Sequence, residues 1–344
     1  MLWLAILGCN VSVDLNPRRN ERVVQTEGPW YDIYFTDPTC PPHAQRQNGI
    51  DAIIADDLLL AQSSVDIAAY DLDAEPIVNA LIQLRAEGLR VRVVTDADNE
   101  DLASIRRLRR NGISVVTDRR SALMHNKFIV VDDRVVWTGS MNYTSNGAYC
   151  NNNNAVRFDV PALAANYRAE MDEMYVDRQF GPTSPLRPNV ERIVVNGVPL
   201  DNHFAPEADV PPIIAGYVAQ AQDEVLFMAF SFTEEQIGSA IIDRALEGVE
   251  VRGVFETIGS LTEFSYFQRM YDARLPNLQV RQDGNPRIMH HKVIIIDREI
   301  VIFGSFNFSR NANEDNDENI VVVQDPQFAS YFAEEFGWVW EEAN

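Results

Sequence analysis

The chain repeats itself, and that repetition limits its folds more than any other feature. Val65–Asp71 reads VDIAAYD and leads through a helical pattern to Glu87-Gly88 and a strand-like VRVVTDA from Val91. Val225–Ser231 reads VLFMAFS and leads through another helical pattern to Glu247-Gly248 and VRGVFET from Val251. The offset is 160 residues, Val65 aligning with Val225. Further on, MHNKFIVVDDRVVWTGSMN from Met124 returns as MHHKVIIIDREIVIFGSFN from Met289, an offset of 165. Self-similarity at this scale means two related units packed about a pseudo-two-fold axis. The length of 344 residues suits two units, each large enough for its own core.

Each half alternates short β-rich runs with helical patterns, so an α/β fold with helices covering a mixed sheet is expected in both. Glu75–Ala86 and Glu235–Leu246 read as amphipathic helices. Phe128–Val131 with Val135–Trp137, and Val293–Ile296 with Ile300–Phe303, read as hairpins around short polar turns. Their continuous apolar runs suit strands buried on both faces. The expected divisions are an apolar leader at 1–9, a polar tether at 10–29, halves at 30–180 and 193–344, and a linker at 181–192 rich in Pro and Gly.

Apolar residues make up 46% and charged residues 23%, ordinary for a globular protein. The formal charge of −22 repels phosphate at long range and disfavours a nonspecific nucleic-acid coat protein. Of 29 basic residues only two are lysine, Lys127 and Lys292, and both stand two residues after a histidine. A chain that otherwise uses arginine has kept a compact ammonium at two equivalent positions.

On a strand, residues i and i+2 share a face. His125 therefore points with Lys127, and His290 with Lys292. Asp132 and Asp297 fall at odd spacing and are expected to brace the hairpin turns, with an arginine as the candidate partner. Gly-Ser-x-Asn follows each hairpin: Gly139, Ser140 and Asn142, then Gly304, Ser305 and Asn307. The glycines suggest close approach of a ligand to the backbone, and Ser and Asn supply neutral donors. Two copies of His, Lys and Asn about one axis suit a phosphodiester. Lysines and asparagines surround the nonbridging oxygens, where charge develops, and one imidazole stands on each side in line.

These segments resemble the phospholipase D superfamily, named for its paired His-x-Lys-x4-Asp motifs. The resemblance runs from about Trp30 to Trp340. It implies a phospholipase D-like sandwich of two halves with one active site at their interface. It also implies phosphodiester chemistry through a phosphohistidine, with no metal and no cofactor. Downstream of the second GSxN stands Glu318, where the first half has Asn153. By resemblance these side chains reach across the interface, Glu318 to His125 and Asn153 to His290. A carboxylate stabilises an imidazolium better than an amide does, so His125 is expected as nucleophile and His290 as general acid. The implied catalytic set is His125, Lys127, Asp132, Asn142, His290, Lys292, Asp297, Asn307 and Glu318, with Ser140, Ser305 and Asn153 expected to bind substrate. A phospholipid is the expected substrate. A metal-independent nuclease acting on nucleic acid is the alternative, and a non-catalytic anion-binding module a minor one. A monomer is expected, because both halves lie in one chain.

Met1–Gly8 followed by Cys9 resembles a bacterial lipoprotein signal without its basic n-region, giving an expectation of export and attachment through Cys9. Cys40 and Cys150 then either pair or stay as buried thiols. Arg106, Arg107, Arg109 and Arg110 read as a solvated helix face. Arg119 and Arg120 read equally well as lining the groove mouth or not. Phe264, Tyr266, Phe267 and Tyr271 read as helical core rather than an acyl-binding lip, and His291 as structural. The acidic runs near Asp96 and Glu314 lack the glycine of a calcium loop, so no metal is assigned.

Overall fold

The computed structural model describes residues 23–186 and 192–344, with side chains from Gly28 onward. The first half contributes strands β1 (Val23–Glu27), β2 (Tyr31–Thr36), β3 (Ser64–Ala69), β4 (Arg90–Thr95), β5 (Ser114–Thr117), β6 (Lys127–Val131), β7 (Val135–Gly139), β8 (Asn151–Asn152) and β9 (Asn154–Asp159). The second contributes β10 (Ile193–Val195), β11 (Val198–Ala205), β12 (Glu224–Ala229), β13 (Glu250–Phe255), β14 (Leu278–Gln282), β15 (Ile288–Met289), β16 (Lys292–Ile296), β17 (Ile300–Gly304) and β18 (Glu318–Gln324). Among the described residues each half forms one eight-stranded sheet. The orders are β1-β2-β9-β7-β6-β3-β4-β5 and β10-β11-β18-β17-β16-β12-β13-β14, the same arrangement twice. Within these two sheets, strands β3-β4-β5 and β12-β13-β14 pair in parallel and the rest antiparallel. The α/β class follows directly from the alternation of strand and helix patterns.

Alternate side chains of β6 enter different cores. Phe128 and Val130 join a cluster between the halves, while Ile129 and Val131 join one under the outer helices of the first half. In β16, Val293 and Ile295 take the inner cluster and Ile294 and Ile296 the outer. Burial on both faces explains why these strands read as unbroken apolar runs. Aromatic rings from both halves close the inner layer. The Phe158 centroid lies 6.3 Å from Phe303, and Phe328 lies 5.8 Å from Phe303 and stacks 6.3 Å from Phe158. Burying whole Phe side chains is worth ~1.5–3 kcal/mol each. The halves are thus one packed unit rather than tethered beads.

The expected tether ends sooner than residue 29. Val23–Glu27 pairs antiparallel with β2 as an edge strand. The leader and Cys9 lie outside the described residues, as do residues 187–191 of the linker. Cys40 and Cys150 are joined by a disulfide. Helix Ala103–Arg110 carries the arginine run on its surface, where Arg107 pairs with Glu75 at 2.7 Å. Of the four aromatics expected in helical core, Tyr266 is buried, whereas Phe264 and Tyr271 are exposed. Among the described residues no helix is long and apolar enough to cross a membrane.

The aspartates of the two motifs belong to this architecture and not to the site. Asp132 and Asp133 have φ of +53° and +52°, and Arg134 N–H donates to the Val131 carbonyl across them, giving a two-residue primed turn. The Asp132 carboxylate accepts the backbone N–H groups of Gln62, Ser63 and Ser64 at 2.7–2.9 Å. It thereby pins the start of β3 to the hairpin. Asp297 does the same for Gln222, Asp223 and Glu224 at 2.8–2.9 Å. Ser63 Oγ also donates to Asp132, at 2.7 Å, so the partners are backbone amides and one hydroxyl, not the arginine considered from sequence. Asp132→Ala is expected to cost about 1–3 kcal/mol in chemical denaturation while leaving kcat/KM within a few-fold of wild type. A hundredfold kinetic loss in a stably folded variant would return Asp132 to the chemistry.

Candidate active site

Each motif begins just before its hairpin strand and is stitched to the other half. The His125 N–H donates to the Asp317 carbonyl at 3.0 Å, and the His290 N–H donates to the Asn152 carbonyl at 2.9 Å. Strands β15 and β8 pair in parallel across the same seam. The imidazoles cross as well. His125 Nδ1 lies 2.8 Å from both carboxylate oxygens of Glu318, and His290 Nδ1 lies 2.9 Å from Asn153 Oδ1. These are the cross-interface partners that the resemblance implied. An acceptor behind each Nδ1 fixes the Nδ1–H tautomer and leaves Nε2 for chemistry.

Ser140 and Ser305 are fully buried and serve these partners, not substrate. Ser305 Oγ donates to Glu318 Oε2 at 2.6 Å, and Ser140 Oγ donates to Asn153 Oδ1 at 3.2 Å. Asn153 is itself fully buried behind His290, so none of the three residues expected to bind substrate faces it. The glycine of each GSxN answers a neighbouring strand rather than a ligand. At Gly139 (φ +149°) a Cβ would stand 2.4 Å from the Asn154 carbonyl, and at Gly304 (φ +154°) it would stand 2.2 Å from that of Asn319. Asn142 and Asn307 sit half-buried just past β7 and β17, each with a buried side-chain oxygen lacking a hydrogen-bond partner.

Both lysines are almost sealed, at 1% exposure. Lys127 Nζ donates to the His125 carbonyl at 2.6 Å and Lys292 Nζ to the His290 carbonyl at 2.8 Å. An aromatic ring flanks each pair. Tyr70 packs edge-on to His125 at 5.1 Å with Lys127 Nζ 5.3 Å from its centroid. Phe230 packs on His290 at 4.9 Å with Lys292 Nζ at 4.6 Å. Sequence reasoning passed over both rings, although they stand at matching places in VDIAAYD and VLFMAFS. Tyr70 and Phe230 are the half-buried residues beside imidazoles only 5% and 6% exposed.

The electrostatics are those of an anion site. Burial lowers His125 to about 4, against the pull of Glu318, with the Lys127 charge lowering it further. Burial lowers Lys127 to about 7, and Glu318, Asp71 and Asp96 limit the fall. Burial, then the Lys127 charge, holds Lys292 well below its ordinary value. His290 is likewise depressed by burial, then by Lys292, Lys127 and His125. Motif groups of each half act on those of the other, so all four serve one site. A bound tetrahedral anion favours every protonated form here. Sulfate binding at pH 8 is therefore expected to take up protons and to weaken as pH rises through about 7. Titration calorimetry in buffers of different ionisation enthalpy reads this directly. Enthalpies independent of buffer would show that the lysines are charged before the anion arrives.

A second layer repeats across the halves. Asn126, between His125 and Lys127, donates to Glu170 at 3.1 Å and accepts from Asn319 at 2.8 Å. Its counterpart His291 sits 3.0 Å from Asn154 Nδ2 and 3.3 Å from Glu335. Asn126 and His291 are fully buried, which accords with the structural role expected of His291. Arg120 reaches across the interface to the Asp315 carbonyl. The carboxylates of Glu170, Glu173 and Glu207 approach within 4.8 Å of one another behind this layer. Burial, then the neighbouring acids, raises Glu170 well above the carboxylate range.

A family model described as cardiolipin synthase, PLD-like domain matches residues 54–175 and again 214–340. The chain belongs to the phospholipase D superfamily. Among curated phospholipase D-superfamily relatives, a phospholipase D of Rickettsia felis is 32% identical over 129 residues, covering 38% of this chain and 63% of the relative. A human mitochondrial cardiolipin hydrolase is 34% identical over 115 residues, 33% of this chain and 44% of that protein. This chain thus spans less than two thirds of either relative. The solved phosphatidylserine synthase of Haemophilus influenzae superposes with a TM-score of 0.68 over 86% of this chain and 84% of that one, at 14% identity. That superposition is a likeness of fold.

Proposed function

We propose that this chain cleaves the headgroup phosphodiester of a phospholipid by two displacements at phosphorus. The observation that carries the proposal is the unequal backing of the two imidazoles, Glu318 behind His125 and Asn153 behind His290. His125 Nε2 attacks phosphorus and the bond to the headgroup oxygen breaks. His290 delivers the proton to that alcohol. The phosphatidyl group rests on His125, whose imidazolium charge Glu318 stabilises. His290 then takes a proton from water, the water oxygen attacks phosphorus, the P–N bond breaks and phosphatidic acid leaves. An acceptor alcohol in place of water gives transfer instead. Lys127 and Lys292 hold the nonbridging oxygens throughout. Neutral His125 near pH 7 suits the nucleophile, and the charge of the bound diester raises His290 toward its acidic form.

Relatives named phospholipase D and cardiolipin hydrolase support a lipid substrate. The charge of −22 also disfavours a long polyanion. Export belongs to the same proposal, supported by the Cys40–Cys150 disulfide, since such bonds persist in oxidising compartments. So does a monomer, supported by a site built from both halves of one chain. The test is an assay of the purified chain in EDTA on phosphatidylcholine vesicles and on single-stranded DNA. Choline release without DNA cleavage is expected. DNA cleavage without choline release would establish the nuclease alternative, and inertness toward both would end the proposal.

A further inference from the structure

The two halves differ sharply in the loop after the middle parallel strand. Both loops start from equivalent anchors. Asp96 accepts the Asp98 N–H and Asp118 the Ala97 N–H; in the second half Glu256 accepts the Gly259 N–H and Asp283 the Thr257 N–H. Beyond those anchors the first loop shows water Asp98, Glu100 and Asp101. The second, longer loop shows Ile258, Leu261 and Phe264 at 74%, 75% and 68% exposure. Ile258 and Leu261 lie three apart on one helical turn and so share a face. The duplicated fold is its own control: the same scaffold is satisfied by a polar loop, so nothing in the architecture requires three large apolar side chains in water.

We infer that the loop at 257–264 docks on the surface of a phospholipid assembly and enters the boundary between headgroups and acyl chains. Large apolar side chains exposed together on one short loop mark an interaction site. Two observations select the occupant. First, the loop borders the active site. Gly259 packs so closely on the Phe230 carbonyl that a Cβ there would stand 2.8 Å away, and the Phe230 ring lies on His290. A surface held by this loop is held beside the reacting phosphorus. Second, Glu263 is the only charged side chain between Glu256 and Arg269, in a chain of net charge −22. A near-neutral apolar patch fits zwitterionic lipid, where an anionic partner would be repelled by the rest of the molecule. Insertion of an apolar face with aromatic and aliphatic anchors is the ordinary physics of interfacial binding.

This inference rests on the lipid reading of the site, and its test separates the two. The triple variant Ile258→Ser, Leu261→Ser, Phe264→Ser changes exposed positions only, so its fold is expected to be unaffected. Leu246→Ser, at an exposed apolar position (64%) at the end of helix Glu235–Leu246, is the control. Co-sedimentation with dioleoylphosphatidylcholine vesicles is expected to show at least about tenfold weaker binding for the triple variant, and unchanged binding for the control. Vesicle hydrolysis is expected to fall in step, while hydrolysis of monomeric dibutyroylphosphatidylcholine stays at the wild-type rate. Undiminished vesicle binding, or equal loss in the control, overturns the inference. So does a dimer that the triple variant dissociates without change in vesicle binding, since the patch would then be a contact between copies. If wild type cleaves neither form of lipid, the functional reading fails, while sedimentation still decides whether the loop binds the surface.

Discussion

His125→Ala is expected to lower phospholipid turnover by about 10⁴-fold or more, because it removes the atom that forms the bond to phosphorus. His290→Ala is expected to be equally inert on natural lipid, yet for a different reason, and a change of leaving group separates the two. The p-nitrophenyl ester of phosphocholine expels its phenolate without help from an acid. With it, His290→Ala is expected to give a burst of nitrophenol of about one equivalent and then stall, whereas His125→Ala gives none. Acid-resistant fragments are not required: rapid quenching and mass spectrometry of the stalled variant should find the added mass on the peptide carrying His125. An adduct on His290 would reverse the roles drawn from Glu318 and Asn153.

Replacing either lysine by arginine is expected to cost about 10²–10³-fold in kcat/KM although formal charge is preserved. The reason is space. Each ammonium is 1% exposed, sits on the carbonyl of the histidine two residues before it and lies under an aromatic ring. A planar guanidinium cannot make that carbonyl contact from the same stem without displacing Tyr70 or Phe230. Steady-state kinetics of Lys127→Arg and Lys292→Arg, with thermal unfolding to confirm folding, provide the measurement. Near-normal rates in either variant would mean that a spread-out positive charge suffices there.

The duplication, the two hairpins and the boundaries of helices Glu75–Ala86 and Glu235–Leu246 were legible because each is a local pattern written twice. The His-Lys pairs were legible for the same reason, aided by the rarity of lysine. Residues whose roles depend on what lies behind them were not. Ser140 and Ser305 looked like ligands for substrate because a serine after a strand can face either way, and only the packing turns them toward Asn153 and Glu318. Gly139 and Gly304 answer carbonyls on neighbouring strands, a contact fixed by sheet register and invisible to spacing. The parity of Asp132 and Asp297 pointed them at the hairpin turns while the resemblance kept them in the catalytic set, and their main partners are backbone amides, which carry no signature in any sequence. Phe264 was misjudged because an apolar residue in a helical pattern normally faces a core, and nothing local says that this ring turns out to water while Tyr266, two residues on, turns in.

The crossing of Glu318 to one histidine and Asn153 to the other bears on why both halves share a single polypeptide. Two identical subunits meeting on a true dyad would have to present the same group behind each imidazole, so both rings would have equal basicity. Covalent fusion lifts that restraint and lets each copy accept mutations the other does not share. One imidazole can then be tuned for bearing a covalent bond and the other for shuttling protons before any substrate arrives, whereas in a symmetric homodimer only the bound substrate could make the two rings differ.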